Sequence, residues 1–214
     1  MIVICGCSWA VGEWSESGAI AGPGLAQYFS FWSAVTNLAR PAASNQQQAD
    51  SLEQFLTQYS PAADDVCYWI VTELCRDVTA IGYSPIETVN TTLSQFLSRA
   101  NQLARQIPIR LIGGLCDLND VDITPYPNLS IAVPSWSQLY NPLYPASMYD
   151  DIAYELAVQA TTTQQKTEIE WLSKQGQQKT QAFKTLPHFR ASHPDAAAHL
   201  GLRNLLRPDW STIN

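Results

Sequence analysis

The sequence predicts an α/β protein with a parallel sheet of about five strands and helices on both faces. Short, continuous apolar runs recur at residues 2–5, 34–38, 66–71, 109–112 and 129–133. Between several of these runs, apolar residues recur at the three-and-four spacing of amphipathic helices. Strands that are apolar on both faces and alternate with helices form parallel sheets buried in the middle of a layered domain.

The two clearest helices lie in the first half of the chain. One pattern runs from Ala49 to Tyr59, and a longer one runs from Ile86 to Ala104. The longer pattern is preceded by Ser84-Pro85-Ile86-Glu87, in which serine and glutamate have the spacing of a capping box. Proline is favoured at the first helical position, so we expect this helix to begin at Pro85.

The second half of the chain is less regular. Residues 117–146 are rich in proline and aromatic residues and predict a long loop region that contains one strand. Apolar spacing predicts a helix from about residue 146 to residue 160, and another around residues 168–174. A final helix is predicted to begin at Ser192-His193-Pro194-Asp195, where Ser192 and Asp195 also have capping-box spacing.

Composition limits the function classes. The 214 residues, 46% hydrophobic and 14% charged, predict one folded domain over residues 1–214. A net charge of −7 argues against a nucleic-acid binder, and no apolar run is long enough for a membrane span. We expect a cytoplasmic location, since Met1 leads straight into a predicted strand, with association with a virus particle as the alternative. The sequence gives no indication of oligomeric state.

Five cysteines are present without a C-x-x-C pair, and they lie in or beside apolar runs. This pattern predicts buried free thiols and gives no support for a zinc ribbon or a thioredoxin motif. Five-residue and six-residue gaps separate His188, His193 and His199, which matches no standard zinc ligand pair. We therefore expect neither a metal nor a cofactor.

Polar segments follow four of the predicted strands. They are Ser8, the turn at residues 41–45, Thr72-Glu73 and residues 113–117. Ligand sites in parallel sheets lie at the carboxyl ends of the strands, so these segments are expected to share one rim.

Ser8 and His193 are the residues at which chemistry is expected. A serine after a strand can be a nucleophile, a helix cap or a turn residue, and it becomes a nucleophile only when a base removes its proton. Gly6, Ser8 and Gly12 do not form a dinucleotide-binding G-x-G-x-x-G motif. His193 at a helix start would be fixed in direction, as a general base requires, although a surface histidine is the simpler interpretation of His193 alone.

Three motifs together resemble the SGNH (GDSL-type) hydrolase superfamily, including Gly-Cys-Ser variants, some of them phage-encoded. Gly6-Cys7-Ser8-Trp9-Ala10-Val11-Gly12 is similar to the family's first block, and Asn37 to Gln46, "NLARPAASNQ", is similar to its second. His193-Pro194-Asp195, with His199 further on, resembles the last block. The resemblance implies a three-layer, flavodoxin-like fold and hydrolysis of an oxygen ester, with acetyl or short acyl esters of carbohydrates or small molecules as substrates.

The resemblance also implies roles for individual residues. Ser8 would be the nucleophile and His193 its base. The oxyanion would be bound by the Ser8 amide, by an amide of the Ala42-Ala43 turn and by a third group, for which Asn45 and Thr72 are the candidates. The N-terminus of the helix that begins at Ser44 or Asn45 would add a favourable field. Trp9 and Trp14 flank Ser8 and are the expected walls of the substrate site, whereas Trp32, Trp69 and Trp171 are expected in the core.

Three departures from the family pattern bear on activity. Ala42 replaces a glycine, which disfavours a positive φ there, and the Gly-x-Asn-Asp third block is not visible. Arg190 stands three residues before His193, where relatives carry the aspartate that orients the base. Ser8 and His193 would then act as a dyad, a carboxylate would come from elsewhere, or this copy would be weakened. The alternative function is a binding or structural module with weak or no activity.

Overall fold

A computed structural model describes residues 1–78, 84–145, 147–149, 156–190 and 193–206. In chain order, its strands are β1 (Ile2–Cys5), β2 (Gly12–Trp14), β3 (Ile20–Pro23), β4 (Val35–Asn37), β5 (Val66–Val71), β6 (Ile109–Gly113), β7 (Leu129–Val133), β8 (Phe189–Arg190) and β9 (His193–Pro194). Its α-helices are α1 (Ser8–Val11), α2 (Leu25–Phe29), α3 (Asn45–Gln58), α4 (Pro85–Leu103), α5 (Thr163–Phe183) and α6 (Ala196–Leu205).

The main sheet has the strand order β4-β1-β5-β6-β7, and every neighbouring pair in it is parallel. The predicted fold class and its five strands are therefore confirmed. β1 lies between β4 and β5, with Ile2 opposite Val35 on one side and Val66 on the other. β1 is thus an interior strand, next to the edge strand β4, and the loop that follows it lies between those of β4 and β5 on the rim formed by the carboxyl ends of the strands.

The core lies on both faces of the sheet, as expected for three layers. Val3, Cys5 and Trp69 pack towards α3 and α4 on one face. Ile2 and Ile4 alternate with them and pack towards α2 and α6 on the other face. Successive side chains of a strand point to opposite faces, so two-sided burial requires the continuous apolar runs seen in the sequence.

The helices begin close to where the sequence predicts. Ser44 caps α3 in a complete capping box with Gln47. Ser84 caps α4 by accepting the Glu87 amide, and Pro85 occupies the first turn. Helix α5 is longer than the predicted residues 168–174. Residues 146 and 150–155 of the helix predicted over residues 146–160 lie outside the described residues.

The start of the final helix differs from the prediction. His193 and Pro194 form β9, which pairs antiparallel with β8, and the helix begins only at Ala196. Asp195 is the cap, because its Oδ1 accepts the Ala198 amide at 3.0 Å. A cap residue has extended backbone dihedrals, so a helix capped by Asp195 cannot include Pro194. His193 is therefore held by a strand pair and not by a helical turn.

The five cysteines are free thiols, and four of them are buried, as predicted. Trp69 is fully buried and Trp32 is partly buried against the core. Trp171 was predicted in the core, but 42% of it is exposed, and its ring packs edge-on against Tyr149 at a centroid distance of 5.0 Å. Among the described residues, the helices are too short or too polar to cross a membrane.

Candidate active site

Ser8 is the first residue of α1, three residues after β1 ends. The chain turns sharply into α1 at Gly6, where an added Cβ would lie 2.8 Å from the Ala10 Cβ and 3.2 Å from the Ile70 Cβ. Glycine is thus required for the close approach of the turn to β5. The turn leaves Ser8 only 8% exposed, beyond the carboxyl end of β1.

The imidazole of His193 reaches the Ser8 hydroxyl. The distance from His193 Nε2 to Ser8 Oγ is 2.9 Å, although 185 positions separate the two residues in the chain. With its ring proton on Nδ1, neutral His193 accepts the hydroxyl hydrogen at Nε2. This is the distance and direction that a general base needs to activate a serine.

The hairpin of β8 and β9 fixes the backbone of His193. Arg190 lies directly opposite His193 in this hairpin and is exposed, so the residue three positions before His193 is a solvent-facing arginine. The Asp195 amide also bonds the His188 carbonyl at 2.9 Å. Asp195 Oδ1 caps α6 and its Oδ2 lies 3.6 Å from His188 Nδ1, so this carboxylate serves the hairpin and the helix.

The four polar segments predicted to share a rim do so. The Arg40 amide donates to the Gly6 carbonyl at 3.1 Å, which holds the Ala42 turn beside the loop that carries Ser8. The loop after β6 is joined to the end of β5 by a bond from the Cys116 amide to the Val71 carbonyl at 3.4 Å.

Ala42 has a φ of +58°, in the left-handed region that favours glycine. It lies in a tight turn closed by a hydrogen bond from the Ala43 amide to the Arg40 carbonyl at 3.2 Å. The sequence-based expectation that alanine disfavours a positive φ here is therefore wrong: the backbone adopts it, at a cost of about 1–2 kcal/mol for a residue with a Cβ.

Asn45 and Thr72, the two candidates for a third oxyanion donor, bond to each other instead. Asn45 Oδ1 accepts the Thr72 amide at 3.0 Å and its Nδ2 donates to the Thr72 carbonyl at 3.1 Å. The Thr72 hydroxyl donates to Glu73 Oε2 at 2.7 Å. Both residues are fully buried, so the prediction that either donates to substrate does not agree with the structure. They join the start of α3 to the end of β5.

The N-terminus of α3 is also occupied. The Asp77 carboxylate accepts the Asn45 amide at 2.9 Å and the Gln46 amide at 3.0 Å. The expectation that this helix end contributes a field to the oxyanion is therefore wrong, because a carboxylate already neutralises it. Sequence reasoning missed Asp77, since nothing in the local pattern links it to a helix 31 positions earlier.

Trp9 is a core residue and not a wall of the site. It is 0% exposed, and its ring packs edge-on against Trp136 and Phe183 at centroid distances of 5.8 and 5.7 Å. Successive side chains of a helix point about 100° apart, so the residue after Ser8 turns into the protein.

Trp14 lies beside both members of the Ser8–His193 pair. Its indole Nε1 donates to the Ser8 carbonyl at 2.9 Å. Its ring centroid is 5.3 Å from that of His193, with the ring planes 34° apart. Trp14 is half-buried, so unlike Trp9 it is placed as the sequence predicted, beside the nucleophile and partly open to solvent.

His199 links α6 to α1, the short helix that carries Ser8. Its Nε2 is 2.9 Å from the Trp9 carbonyl and its Nδ1 is 2.9 Å from the Asp195 carbonyl. It lies within the helix, as expected, and burial lowers its pKa below the ordinary value. Because both partners are acceptors, the neutral ring donates to only one of them.

Within the described residues there is no group of three or more histidine, cysteine, aspartate or glutamate side chains placed to hold a metal ion. Comparison with known proteins adds no assignment for this site. A scan against protein-family models found no match, and a search of curated protein sequences found no significant relative.

Proposed function

We propose that the chain is a serine hydrolase that cleaves an oxygen ester by nucleophilic catalysis. The observation that supports this best is the 2.9 Å distance between Ser8 Oγ and His193 Nε2, at the carboxyl end of the interior strand β1. The motifs that resemble the SGNH superfamily agree with this assignment: its first block contains Ser8 and its last block contains His193.

In the first half of the reaction, the Ser8 oxygen attacks the ester carbonyl carbon while its proton passes to His193 Nε2. The tetrahedral intermediate collapses, the bond to the alcohol oxygen breaks, and His193 returns the proton to the leaving alcohol. In the second half, water attacks the acyl-serine and gives up a proton to His193. The acid is released, and Ser8 takes the proton back.

The charge that develops on the carbonyl oxygen requires donors aimed at it. We assign this role to backbone amides, those of Ser8 and of the Ala42 turn. The left-handed conformation of Ala42 and the bond from Arg40 to Gly6 support it, because together they fix that turn against the Ser8 loop. Asn45 and Thr72 then act as a rigid connection behind the amides and not as donors.

For the substrate we favour an acetyl or other short acyl ester, carried by a carbohydrate or a small alcohol. Ser8 is only 8% exposed and His193 is half-buried beside Trp14, which leaves little room for a long acyl chain at the nucleophile. The half-buried indole of Trp14 offers an apolar edge against which a sugar ring can pack.

The test is hydrolysis of p-nitrophenyl esters of two to eight carbons by the wild type, Ser8→Ala and His193→Gln. Ser17→Ala, an exposed turn residue, is the matched control. We expect acetate and propionate to be cleaved fastest, with either site variant reducing kcat by about 1,000-fold or more and the control unchanged. Equal rates in all four proteins would instead support a non-catalytic binding module.

A further inference from the structure

Trp14 contacts both residues of the proposed catalytic pair from one side chain. It lies on β2, whose strand pair with β3 holds its backbone. The indole edge carries the N–H that bonds the Ser8 carbonyl, and the ring lies against the imidazole of His193. A residue that only lined a substrate site would not need both contacts.

The hydrogen bond from Trp14 to the Ser8 carbonyl holds a residue of the short helix α1. Helix α1 has only four residues, so few internal hydrogen bonds hold the Ser8 peptide in place. A donor at 2.9 Å from outside the helix fixes the Ser8 carbonyl and, with it, the direction of the Cα–Cβ bond that carries Oγ. Loss of the indole N–H leaves the nucleophile less precisely aimed.

The contact between the Trp14 and His193 rings affects the charge state of His193. His193 becomes an imidazolium each time it takes the Ser8 proton, and a cation within about 6 Å of an aromatic centroid is attracted by the ring quadrupole. The centroid distance of 5.3 Å and the 34° angle put the two rings closer to stacked than to edge-on. Trp14 therefore favours the charged form of His193 over the neutral form.

Charged residues lie on or next to the elements that contact β9 in the described part of the chain. Glu13 lies beside Trp14 on β2, Asp195 precedes α6, and both favour a positive His193, whereas Arg190 opposite it on β8 disfavours it. His199 lies on α6, and the neutral hydroxyl of Ser8 on α1 contacts the His193 ring. Substitutions at Trp14 leave all of these groups in place.

We propose that Trp14 is a positioning residue for both members of the pair, fixing the Ser8 backbone through its N–H and stabilising the imidazolium of His193 through its ring. The catalytic meaning of this role rests on the proposed function, but the two physical effects do not.

The test of the ring is an NMR titration of the histidine side chains in the wild type, Trp14→Phe and Trp14→Leu. The His193 signal is assigned by its loss in His193→Gln. Phenylalanine and leucine are similar in size and both lack the N–H, so the difference between them isolates the aromatic face. We expect the His193 pKa to fall by about half a unit to one unit in Trp14→Leu and by clearly less in Trp14→Phe.

Equal His193 pKa values in the phenylalanine and leucine variants would overturn the ring effect. Circular dichroism checks folding, and Trp14→Met replaces the leucine variant if that one does not fold. The titration needs no activity, so its outcome is independent of whether the chain hydrolyses esters.

The test of the N–H is the rate at which a fluorophosphonate labels Ser8, measured well above the His193 titration. Both Trp14→Phe and Trp14→Leu lose the hydrogen bond, so we expect both to react about 2- to 10-fold more slowly than the wild type. Labelling of Trp14→Phe at the wild-type rate would show that the indole N–H does not position Ser8. The hydrolase assignment would still stand. Absence of labelling in the wild type would instead contradict the hydrolase assignment.

Discussion

The side-chain amide of Asn45 pairs with the backbone of Thr72 as one strand pairs with another. Its oxygen accepts from the Thr72 amide at 3.0 Å and its nitrogen donates to the Thr72 carbonyl at 3.1 Å. Both residues are fully buried, and the pair joins the first residue of α3 to the end of β5. The rim that carries Ser8 is therefore braced from inside the protein.

Asn45→Ala is expected to lower the free energy of unfolding by about 2–4 kcal/mol, because it leaves a buried amide and carbonyl without partners. Urea unfolding followed by tryptophan fluorescence measures this. Gln54→Ala, an exposed position on the same helix, is the control and should change stability by less than about 0.5 kcal/mol. A similar small effect at Asn45 would contradict the bracing role.

Ala42→Gly is expected to stabilise the protein, by about 0.5–1 kcal/mol, since it removes the strain of a left-handed alanine at some cost in chain entropy. Ala43→Gly, in the same turn, is the matched control: Ala43 is not among the described residues with positive φ, so the substitution should destabilise the protein. The two melting temperatures should move in opposite directions, and a fall in both would show that Ala42 is not strained.

His199 should contribute to the pH dependence of the protein's stability. Burial lowers its pKa in the folded state, so below the ordinary value of 6.5 the unfolded chain binds a proton that the folded chain does not. Stability from this residue is therefore present above pH 6.5 and is lost as the pH falls below it. Urea unfolding between pH 5 and pH 7.5 should show a shallower decline for His199→Gln than for the wild type. An unchanged slope would mean that His199 has the same pKa in the folded and unfolded protein.

The two members of a buried ion pair are expected to contribute to stability jointly and not independently. Lys179 Nζ lies 3.1 Å from Asp117 Oδ2, with the two side chains 5% and 1% exposed, and links α5 to the loop after β6. Lys179→Met should cost about 3 kcal/mol because it leaves a buried carboxylate unpaired. Combining it with Asp117→Asn should cost less than the two single changes added together. Additive losses in this double-mutant cycle would show that the two groups do not interact.

The sheet was predictable because each strand buries both faces and so appears as an uninterrupted apolar run. The strand predicted over residues 34–38 is only trimmed to Val35–Asn37, and Ile109–Gly113 is one residue longer than expected. The approach of Ser8 to His193 was predicted from motif resemblance and not from periodicity, since nothing local connects the two ends of the chain.

The errors share a physical cause. The two-residue strands β8 and β9 are too short to produce a pattern, so the segment before Asp195 appeared to begin a helix. Helix α1 is likewise too short to show that Trp9 faces inward, so Trp9 could not be distinguished from Trp14, which lies on β2. The roles of Asn45 and Asp77 depend on contacts 27 and 32 positions apart, which no local spacing records.

The most direct test of the central claim is peptide mapping by mass spectrometry after reaction with a serine-directed fluorophosphonate. We expect one labelled peptide in the wild type, with the added mass on Ser8, and labelling slowed by about 100-fold or more in His193→Gln because the base is lost. Circular dichroism would establish that the variant is folded. A folded wild type that carries no label, or carries it on another serine, would contradict the assignment of Ser8 as the nucleophile.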